Sequence, residues 1–411
     1  MASRPLPDTA VFPQPTSILY RYSAVCSCRD FRKYARNARK GTRNMVQSDE
    51  ASRHAAQSAR APLDKDKVKA FTERVFADLA GAMTAGMGFI GVKTGLFRAM
   101  AGHGPMQLED VVRVSGLQPR YVEEWLKGMT CAGYLNFDAS AQTYCLPDEH
   151  AYMLASDGTD HFVGGLFWMA PVLLRSASQV AAAFENGGGV RFEEFGTDGV
   201  TGLDLINRGQ YEHRLTSYWL KTLPDVVRRL QEGGRVLDVG CGAGRVCMAF
   251  AKEFPHAAIV GLDRDAESIR QAAAAAAAAG IGDRIRFLTG TTAECETGFD
   301  LITVCDCIHD FAAPEQTLRE IRGLLKPNGT LFIVEPKVAD RLEDNRNAVA
   351  TMFYGFSIFH CMTQSLAAGG PGLGTCLGPT RTEELVRKCG FQRFERLEIR
   401  SFTNLFYAAQ P

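Results

Sequence analysis

Three glycines at alternate positions, Gly240, Gly242 and Gly244, follow a short apolar run. Glycine has no side chain, so a ligand can lie against the backbone of such a turn. A dinucleotide-binding turn has the spacing Gly-x-Gly-x-x-Gly, whereas Arg245 stands at the last glycine position here. Asp263 closes the next apolar run, 19 residues after Gly244, where a carboxylate can accept from both hydroxyls of a ribose. This pattern favours an adenosine ligand with an ammonium group and no pyrophosphate, and S-adenosylmethionine (SAM) is such a ligand.

His309 is the best candidate for a general base. It lies in Asp306-Cys-Ile-His-Asp310-Phe311, directly after the apolar run 299–305. Histidine changes its charge near neutral pH, as a base that removes a proton from an acceptor should. A loop histidine that bonds to its neighbours, with Asp310 as a helix cap, is an equally open interpretation, because methyl transfer can also proceed by positioning alone.

The elements that must position these residues alternate between strand and helix from residue 235 onward. We predict strands at 235–240, 257–262, 285–288, 299–305, 330–334, 391–398 and 404–408, and helices at 245–254, 265–279, 314–325 and 380–389. Residues 326–329, Lys-Pro-Asn-Gly, read as a helix stop and turn. The fold class is therefore α/β, a Rossmann-like seven-stranded sheet with its ligand at the carboxyl ends of the strands.

A winged helix precedes this sheet. The pattern predicts a helix over 64–101, a helix-turn-helix over 107–114 and 119–131, and two short strands at 134–137 and 143–146. A winged helix often binds DNA. Helix 119–131, however, pairs two basic residues with two acids, which is weak support for phosphate contacts. We therefore favour a dimerisation or substrate-lid module, followed by a helical connector over 150–230 with a break at 187–189.

Charge is distributed unevenly along the 411 residues, although 46 lysines and arginines balance 46 acids. Residues 1–44 hold nine basic residues and two acids, a net charge of +7, which leaves −7 on the remainder. The arginine-rich segment 17–44 has the composition of an organellar transit peptide. A dispensable extension, with Met45 as an alternative start, and a nucleic-acid arm remain open. The acidic remainder counts against the arm.

The twelve cysteines are scattered along the chain, which favours a reducing compartment over a disulfide framework. Two Cys-x-Cys pairs, Cys26/Cys28 and Cys305/Cys307, lack a second pair at zinc-finger spacing, so we predict no metal site. No stretch reaches the roughly 20 apolar residues of a spanning helix, so we expect no membrane segment.

The motifs together resemble a known family. Residues 235–337 are similar to the class I SAM-dependent methyltransferases, and about 64–411 resemble the mycobacterial-type methyltransferases with a winged helix before the SAM domain. The matching segments are 237–244, 300–303, 306–310, 325–329, 354–361 and 389–391. The His309-Asp310 pair resembles the His-Asp-Trp element of plant-type O-methyltransferases, in which the histidine is the base, with Phe311 in place of tryptophan.

The resemblance implies SAM as cofactor and a set of residues that bind it. These are Asp238, Gly240, Cys241, Gly242, Gly244, Asp263, Arg264, Thr291, Thr292 and Asp306. The family usually has an acid at the position of Thr291 to bind the adenine amine. A threonine hydroxyl can still form that hydrogen bond without a charge, and Glu294 is the alternative.

The acceptor is assigned to the insertion before the last helix. Tyr354, Ser357 and His360 are the substrate candidates, with His309 and Asp310 as the catalytic pair. The interleaved phenylalanines are equally consistent with a packed helix. The glycine-rich segment 369–378 lacks the Lys-Ser/Thr of a phosphate loop and is interpreted as a flap.

The predicted organisation is an extension or transit peptide (1–60), a winged-helix domain (61–155), a helical connector (156–230) and a SAM domain (231–411). We expect a homodimeric methyltransferase that acts on a small molecule, most simply on oxygen, with no nucleic-acid or membrane partner. S- or N-methylation by proximity, and a winged-helix regulator with SAM as effector, are the alternatives. The expected location is cytoplasmic, or an organelle if residues 1–44 are a transit peptide.

Overall fold

The computed structural model describes residues 62–411, so the arginine-rich segment 17–44, Met45 and the Cys26/Cys28 pair lie outside the described residues. The described chain divides into two units at residues 74 and 75. The first contains the start of helix α1 (Lys65–Thr94), and the second contains the rest of that helix and all the other elements.

The predicted winged helix is confirmed. Its elements after α1 are α2 (Leu96–Met100), α3 (Leu108–Ser115), α4 (Pro119–Cys131), β1 (Asn136–Asp138) and β2 (Thr143–Cys145). Gly116 ends α3 with a φ of 67°, a left-handed conformation that suits glycine. Pro119 occupies the first turn of α4, where its missing N–H costs nothing. Leu126 and Met129 of α4 pack against Phe97 in a separate small core.

A helical region follows, over the residues predicted to form a connector. It consists of α5 (Asp148–Leu154), α6 (Gly164–Arg175), α7 (Ala177–Asn186), α8 (Gly196–His213) and α9 (Pro224–Gln231), with a π-helical turn at Leu215–Trp219. Gly187 ends α7 with a φ of 74°, at the predicted break. Helix α8 runs from the connector to the loop after the first strand of the large sheet, which makes it important for the site.

The seven-stranded sheet has the order β5-β4-β3-β6-β7-β9-β8, and β9 alone runs antiparallel to the other six strands. Its strands are β3 (Arg235–Val239), β4 (Ala258–Asp263), β5 (Ile285–Thr289), β6 (Phe299–Cys305), β7 (Leu325–Pro336), β8 (Arg393–Arg396) and β9 (Asn404–Gln410). Its helices are α10 (Arg245–Glu253), α11 (Ala266–Ala278), α12 (Pro314–Leu324), α13 (Ala348–Phe356), α14 (Met362–Ala367) and α15 (Pro379–Lys388). The predicted Rossmann-like sheet is confirmed, with one core on each face.

One local prediction is wrong. Residues 326–329 were expected to form a turn before a strand at 330, but β7 begins at Leu325, which pairs with Phe299. The ladder shifts register between Phe299 and Leu301, so the segment bends without leaving the sheet. The pairing of Leu325 with Phe299 therefore starts β7 before the Pro-Asn-Gly sequence, because a strand partner that is distant in sequence decides where the strand begins.

Helix α1 is long and apolar enough to cross a membrane by length and composition, and little of its surface is buried within the protein. The sequence predicts no such segment, so this expectation is not met. One helix of this kind is weak evidence for a span. It does leave large apolar side chains exposed, including Phe76, Leu79, Met83 and Ile90.

Candidate active site

The glycine-rich loop after β3 is held against the end of β4 by backbone hydrogen bonds. The N–H groups of Gly240 and Cys241 both donate to the carbonyl of Leu262, at 2.8 and 3.0 Å. The N–H of Gly242 donates to Oδ2 of Asp263 at 2.8 Å. Gly242 has a φ of 50°, and a Cβ built there meets no atom within 4 Å. The open side of this backbone therefore leaves room for a ligand, as the sequence predicts.

Asp263 connects the loop to the predicted ribose site. Its Oδ1 accepts from the N–H of Asp265 at 2.9 Å, in addition to the Gly242 bond on Oδ2. Burial raises the pKa of this carboxyl, while the backbone donors oppose that shift. A carboxylate has about four lone-pair positions, so two remain for ribose hydroxyls. The residues of the loop thus fit SAM.

Gly244 lies in a closely packed position between the glycine loop and the sheet, and its predicted contact with the cofactor stays a prediction. Its φ is 75°, and a Cβ would lie 2.9 Å from the Cβ of Ala272 and from the ring of Phe287. Ala272 lies on helix α11, and Phe287 lies on strand β5 of the sheet. The close approach requires glycine.

We therefore expect Gly244→Ala to lower the free energy of unfolding by about 1–3 kcal/mol, because it combines a left-handed φ with a steric overlap. Urea denaturation of both proteins measures the difference. Gly323→Ala is the matched control, since Gly323 is an exposed helical position with open space around its Cβ. We expect that change to stabilise by about 0.5–1 kcal/mol. Equal stability of wild type and Gly244→Ala would contradict the packing role.

Asp238 lies inside the sheet and is 1% exposed. Its Oδ1 accepts from the hydroxyl of Thr303 on the neighbouring strand at 2.6 Å, and the thiol of Cys247 lies 3.8 Å from Oδ2. Burial raises the pKa of Asp238 to about 7. These contacts tie β3 to β6 and α10, directly before the glycine loop. Its predicted contact with the ligand stays a prediction.

The predicted adenine-site residues follow β5. The N–H of Thr291 donates to Oε2 of Glu294 at 3.1 Å, so Glu294 caps the short helical turn Thr292–Glu294. The hydroxyl of Thr292 bonds to Glu320 of α12. Thr291 and Arg264 are exposed. Glu294 therefore already has a backbone partner, and Thr291 keeps an exposed position.

Asp306 is one of two described residues other than glycine with a positive φ, at 54°. Its Oδ2 accepts from the hydroxyl of Tyr211 in α8 at 2.9 Å, and its Oδ1 accepts from Asn404 at 2.8 Å. Burial, and then the charge of Glu335, raise the pKa of Asp306 to about 7. A strained backbone at the carboxyl end of a strand, clamped from two sides, is typical of a functional position.

His309 pairs with a residue that the sequence analysis did not assign. Its Nδ1 lies 2.6 Å from Oε2 of Glu335, which ends β7. Oε1 of Glu335 accepts from the N–H of Ile308 at 3.1 Å. Because a carboxylate only accepts, Nδ1 carries the proton and Nε2 is the nitrogen left to act as a base. Strands β6 and β7 are parallel neighbours, so their carboxyl ends bring these two residues together.

The charges around His309 determine its protonation. Burial by itself would lower the pKa of His309, but Glu335 and Asp310 together raise it well above 6.5. Oδ1 of Asp310 lies 3.5 Å from Nε2 of His309 and has no hydrogen-bond partner although it is buried. His309 itself is 2% exposed.

The predicted substrate residues divide into two groups. Ser357 and His360 are buried in the π-helical turn Ser357–Cys361, whereas Tyr354 is exposed. Nε2 of His360 has no hydrogen-bond partner, and burial lowers the pKa of His360. Its ring lies 4.5 Å from that of Phe195. The structure thus brings His360 close to the charges of His309 and Asp310, but it leaves Tyr354 at the surface.

Segment 369–378, interpreted as a flap, is tied to the backbone of His309 by a hydrogen bond. The N–H of Gly374 donates to the carbonyl of His309 at 3.2 Å. Just before the segment, the hydroxyl of Ser365 donates to the carbonyl of Phe311, also at 3.2 Å. The donor atoms of His309, Asp310 and Cys361 lie within 4.8 Å of one another, a group that could hold a metal ion, although the sequence predicts none. Burial raises the pKa of Cys361 to about 11.

The comparisons with known proteins agree with this geometry. Residues 230–376 match the family described as "Methyltransferase domain", and residues 82–156 match the "Rv2258c-like winged HTH domain". The methyltransferase phqN of Penicillium fellutanum is 30% identical over 119 residues, which cover 28% of this chain and 36% of that protein. The chain spans between 36% and 44% of the length of four of the curated relatives that it matches.

Solved structures share the fold over most of the chain. Human N-acetylserotonin methyltransferase in complex with SAM has a TM-score of 0.55 and 20% identity, over 82% of this chain and 97% of that one. The mitomycin 7-O-methyltransferase MmcR has a TM-score of 0.60 and 17% identity, over 85% and 100%. At these identities the likeness concerns the fold.

The seven-stranded sheet and the glycine loop after β3 define a class I methyltransferase fold. Within that class, the chain contains a SAM-dependent methyltransferase domain preceded by an Rv2258c-like winged-helix domain. The predicted resemblance to the winged-helix methyltransferases, and SAM as the cofactor, are thereby confirmed.

Proposed function

We propose that this protein is an O-methyltransferase that acts on a small molecule, with His309 as the general base. The observation that carries the proposal is the 2.6 Å contact between His309 Nδ1 and Glu335, which fixes the ring and leaves Nε2 for the acceptor. SAM supplies an electrophilic methyl group when it is bound. O-methyltransferases with the same fold support oxygen as the acceptor atom.

The residues of the chain divide the work. Asp263 and the glycine loop hold the cofactor, and Asp306 is fixed beside it by Tyr211 and Asn404. His309 takes the proton of the acceptor hydroxyl on Nε2, and Glu335 stabilises the imidazolium that forms. Asp310 lies next to the same nitrogen and favours the same charged state. His309 is 2% exposed and Gly374 of segment 369–378 bonds to its backbone, so we propose that this segment moves when the acceptor enters.

The raised pKa of His309 predicts how the rate depends on pH. A base must be neutral, and its neutral fraction grows as the pH rises through its pKa. We therefore expect turnover at saturating SAM to rise with pH to well above 6.5, the usual value for histidine. Glu335→Gln removes the largest charge that raises this pKa, so the rising limb should move to lower pH. A limb at the same pH in both proteins would assign it to another group.

A screen for the acceptor tests the proposal as a whole. The full-length protein is incubated with SAM labelled in its methyl group and a metabolite extract, and labelled products are identified by mass spectrometry. We expect a labelled methyl ether or ester. A labelled thioether or amine would favour S- or N-methylation by proximity instead.

A winged-helix regulator with SAM as effector is the second candidate. On helix α4, Arg120 pairs with Glu124 and Lys127 with Glu123, each at 2.5 Å, so the charges that would meet phosphates are already neutralised. These pairs support a protein without a nucleic-acid partner. Tight binding of duplex DNA with a steep salt dependence, and no turnover in the screen, would reverse this choice.

We further propose that the N-terminal helical region forms a homodimer. Phe76, Leu79 and Met83 of α1 are exposed at helical spacing, and a contiguous apolar surface of this kind is typical of an interface. Light scattering coupled to size exclusion should give the mass of a dimer for the wild type. Leu79→Glu combined with Met83→Glu should give a monomer. The control Lys69→Glu changes an exposed polar side chain of the same helix and should leave the dimer intact. A monomeric wild type contradicts the proposal.

A further inference from the structure

Arg245 is the residue that departs from the dinucleotide-type glycine spacing, and the mechanism above gives it no role. It is the first residue of helix α10 and follows the left-handed Gly244 directly. The N-terminus of a helix carries a partial positive charge, so a cation at this position is unfavourable by itself. The surroundings of Arg245 must therefore compensate for its charge.

Two carboxylates of helix α8 provide this compensation. Nε and Nη2 of Arg245 donate to Oδ1 and Oδ2 of Asp204, at 2.7 and 3.0 Å, and Nη1 donates to Glu212 at 3.1 Å. The arrangement with Asp204 is bidentate, which is the strongest and most directional form of this contact. The Asp204 side chain is 7% exposed and that of Arg245 17%. Solvent therefore screens this pair far less than a surface ion pair.

Helix α8 reaches the site at a second point. Its Tyr211 donates to Asp306, the strained residue after β6. One helix of the connector thus contacts both the start of α10, next to the glycine loop, and Asp306, which is predicted to bind the cofactor. Arg245 directly follows Gly244, the last glycine of the loop, so the position of its backbone is coupled to that of the loop.

We propose that Arg245 is a positioning residue for the cofactor: its ion pairs with Asp204 and Glu212 hold the glycine loop in the conformation that binds SAM. The proposal rests on the proposed function, because SAM is the ligand whose site is positioned. It assigns to the helical connector a part in cofactor affinity, although none of these three residues is placed against the ligand itself.

Calorimetry with S-adenosylhomocysteine on the full-length protein tests this role. We expect Arg245→Gln to raise the Kd roughly tenfold or more. The ligand-free variant should unfold at a lower temperature, because one partner of a buried ion pair is removed, but it should still fold, since Asp204 keeps Arg208 as a partner. Arg245→Lys keeps the charge but not the fork, so it should recover part of the affinity. Arg208→Gln is the matched control, since Arg208 binds the same Asp204 from within α8, with its Nε at 3.1 Å. Its Kd should stay within roughly twofold of the wild type.

An Arg245→Gln protein that folds and binds with the wild-type Kd overturns the proposal. An equal loss in Arg208→Gln also overturns it, because the network would then only stabilise α8. If Arg245→Gln does not fold, the Kd of Glu212→Gln tests the proposal instead. Glu212 is partly exposed and bonds to Nη1 of Arg245, so its loss should be tolerated better. A weaker Kd supports the role and an unchanged one overturns it. A wild type that does not bind S-adenosylhomocysteine contradicts the proposed function instead, which separates the two failures.

Discussion

His309→Ala should lower turnover by roughly 10²-fold or more while the affinity for S-adenosylhomocysteine stays that of the wild type. The reason is that the imidazole contributes to proton removal, and the glycine loop that binds the cofactor does not contain it. Steady-state rates with the acceptor found in the screen, and calorimetry with S-adenosylhomocysteine, provide the two measurements. His256→Ala is the control, because His256 is exposed in the turn before β4.

Removal of His309 also leaves Glu335 buried without its partner, which can destabilise the protein. His309→Gln addresses this point, since its amide can still donate to the carboxylate. Both variants should lose activity, and His309→Gln should unfold closer to the wild-type temperature. A rate that remains unchanged in a folded His309→Gln would assign catalysis to proximity and would leave the 2.6 Å contact with a structural role only.

Asp263→Ala should abolish measurable binding of S-adenosylhomocysteine. Hydrogen bonds to a charged group are each worth about 1.5–3 kcal/mol, so the loss of two ribose contacts weakens binding by roughly 10²–10⁴-fold. The variant also loses the bond that holds the N–H of Gly242. Asp263→Asn keeps one acceptor oxygen and should fall between the wild type and the alanine variant in calorimetry.

The matched control for this position is Asp265→Asn. Asp265 is only two residues away, but its carboxylate caps helix α11 through the N–H of Ser268 at 2.7 Å. Asparagine is an equally good cap, so the Kd should not change. If Asp263→Ala retains affinity, the acid at the end of β4 is not the ribose ligand and the loop alone defines the site.

Local sequence patterns determined much of this protein. The alternation of apolar strands and helices predicted the seven-stranded sheet, and Pro119 and Gly116 marked the limits of the winged-helix elements, because capping and periodicity are properties of neighbouring residues. The glycine spacing and Asp263 predicted the cofactor for the same reason. Residues 326–329 were predicted to form a turn because Pro-Asn-Gly is a local signal. The pairing of Leu325 with Phe299, which begins the strand earlier, joins residues distant in the sequence.

Only the tertiary structure decided which side chains meet. Glu335 is 26 residues from His309 and Asp204 is 41 residues from Arg245, and no periodicity connects either pair. The sequence did contain a signal for Glu335. His309 follows strand β6 closely, and Glu335 is an acid near the end of the next strand, β7. The signal became informative once the sheet order placed β6 beside β7. Likewise, only the packing shows that Asp238, within β3, is buried against Thr303, while Asp263, at the end of β4, holds the glycine loop. Burial and partner depend on the packing of distant segments, which one-dimensional patterns do not contain.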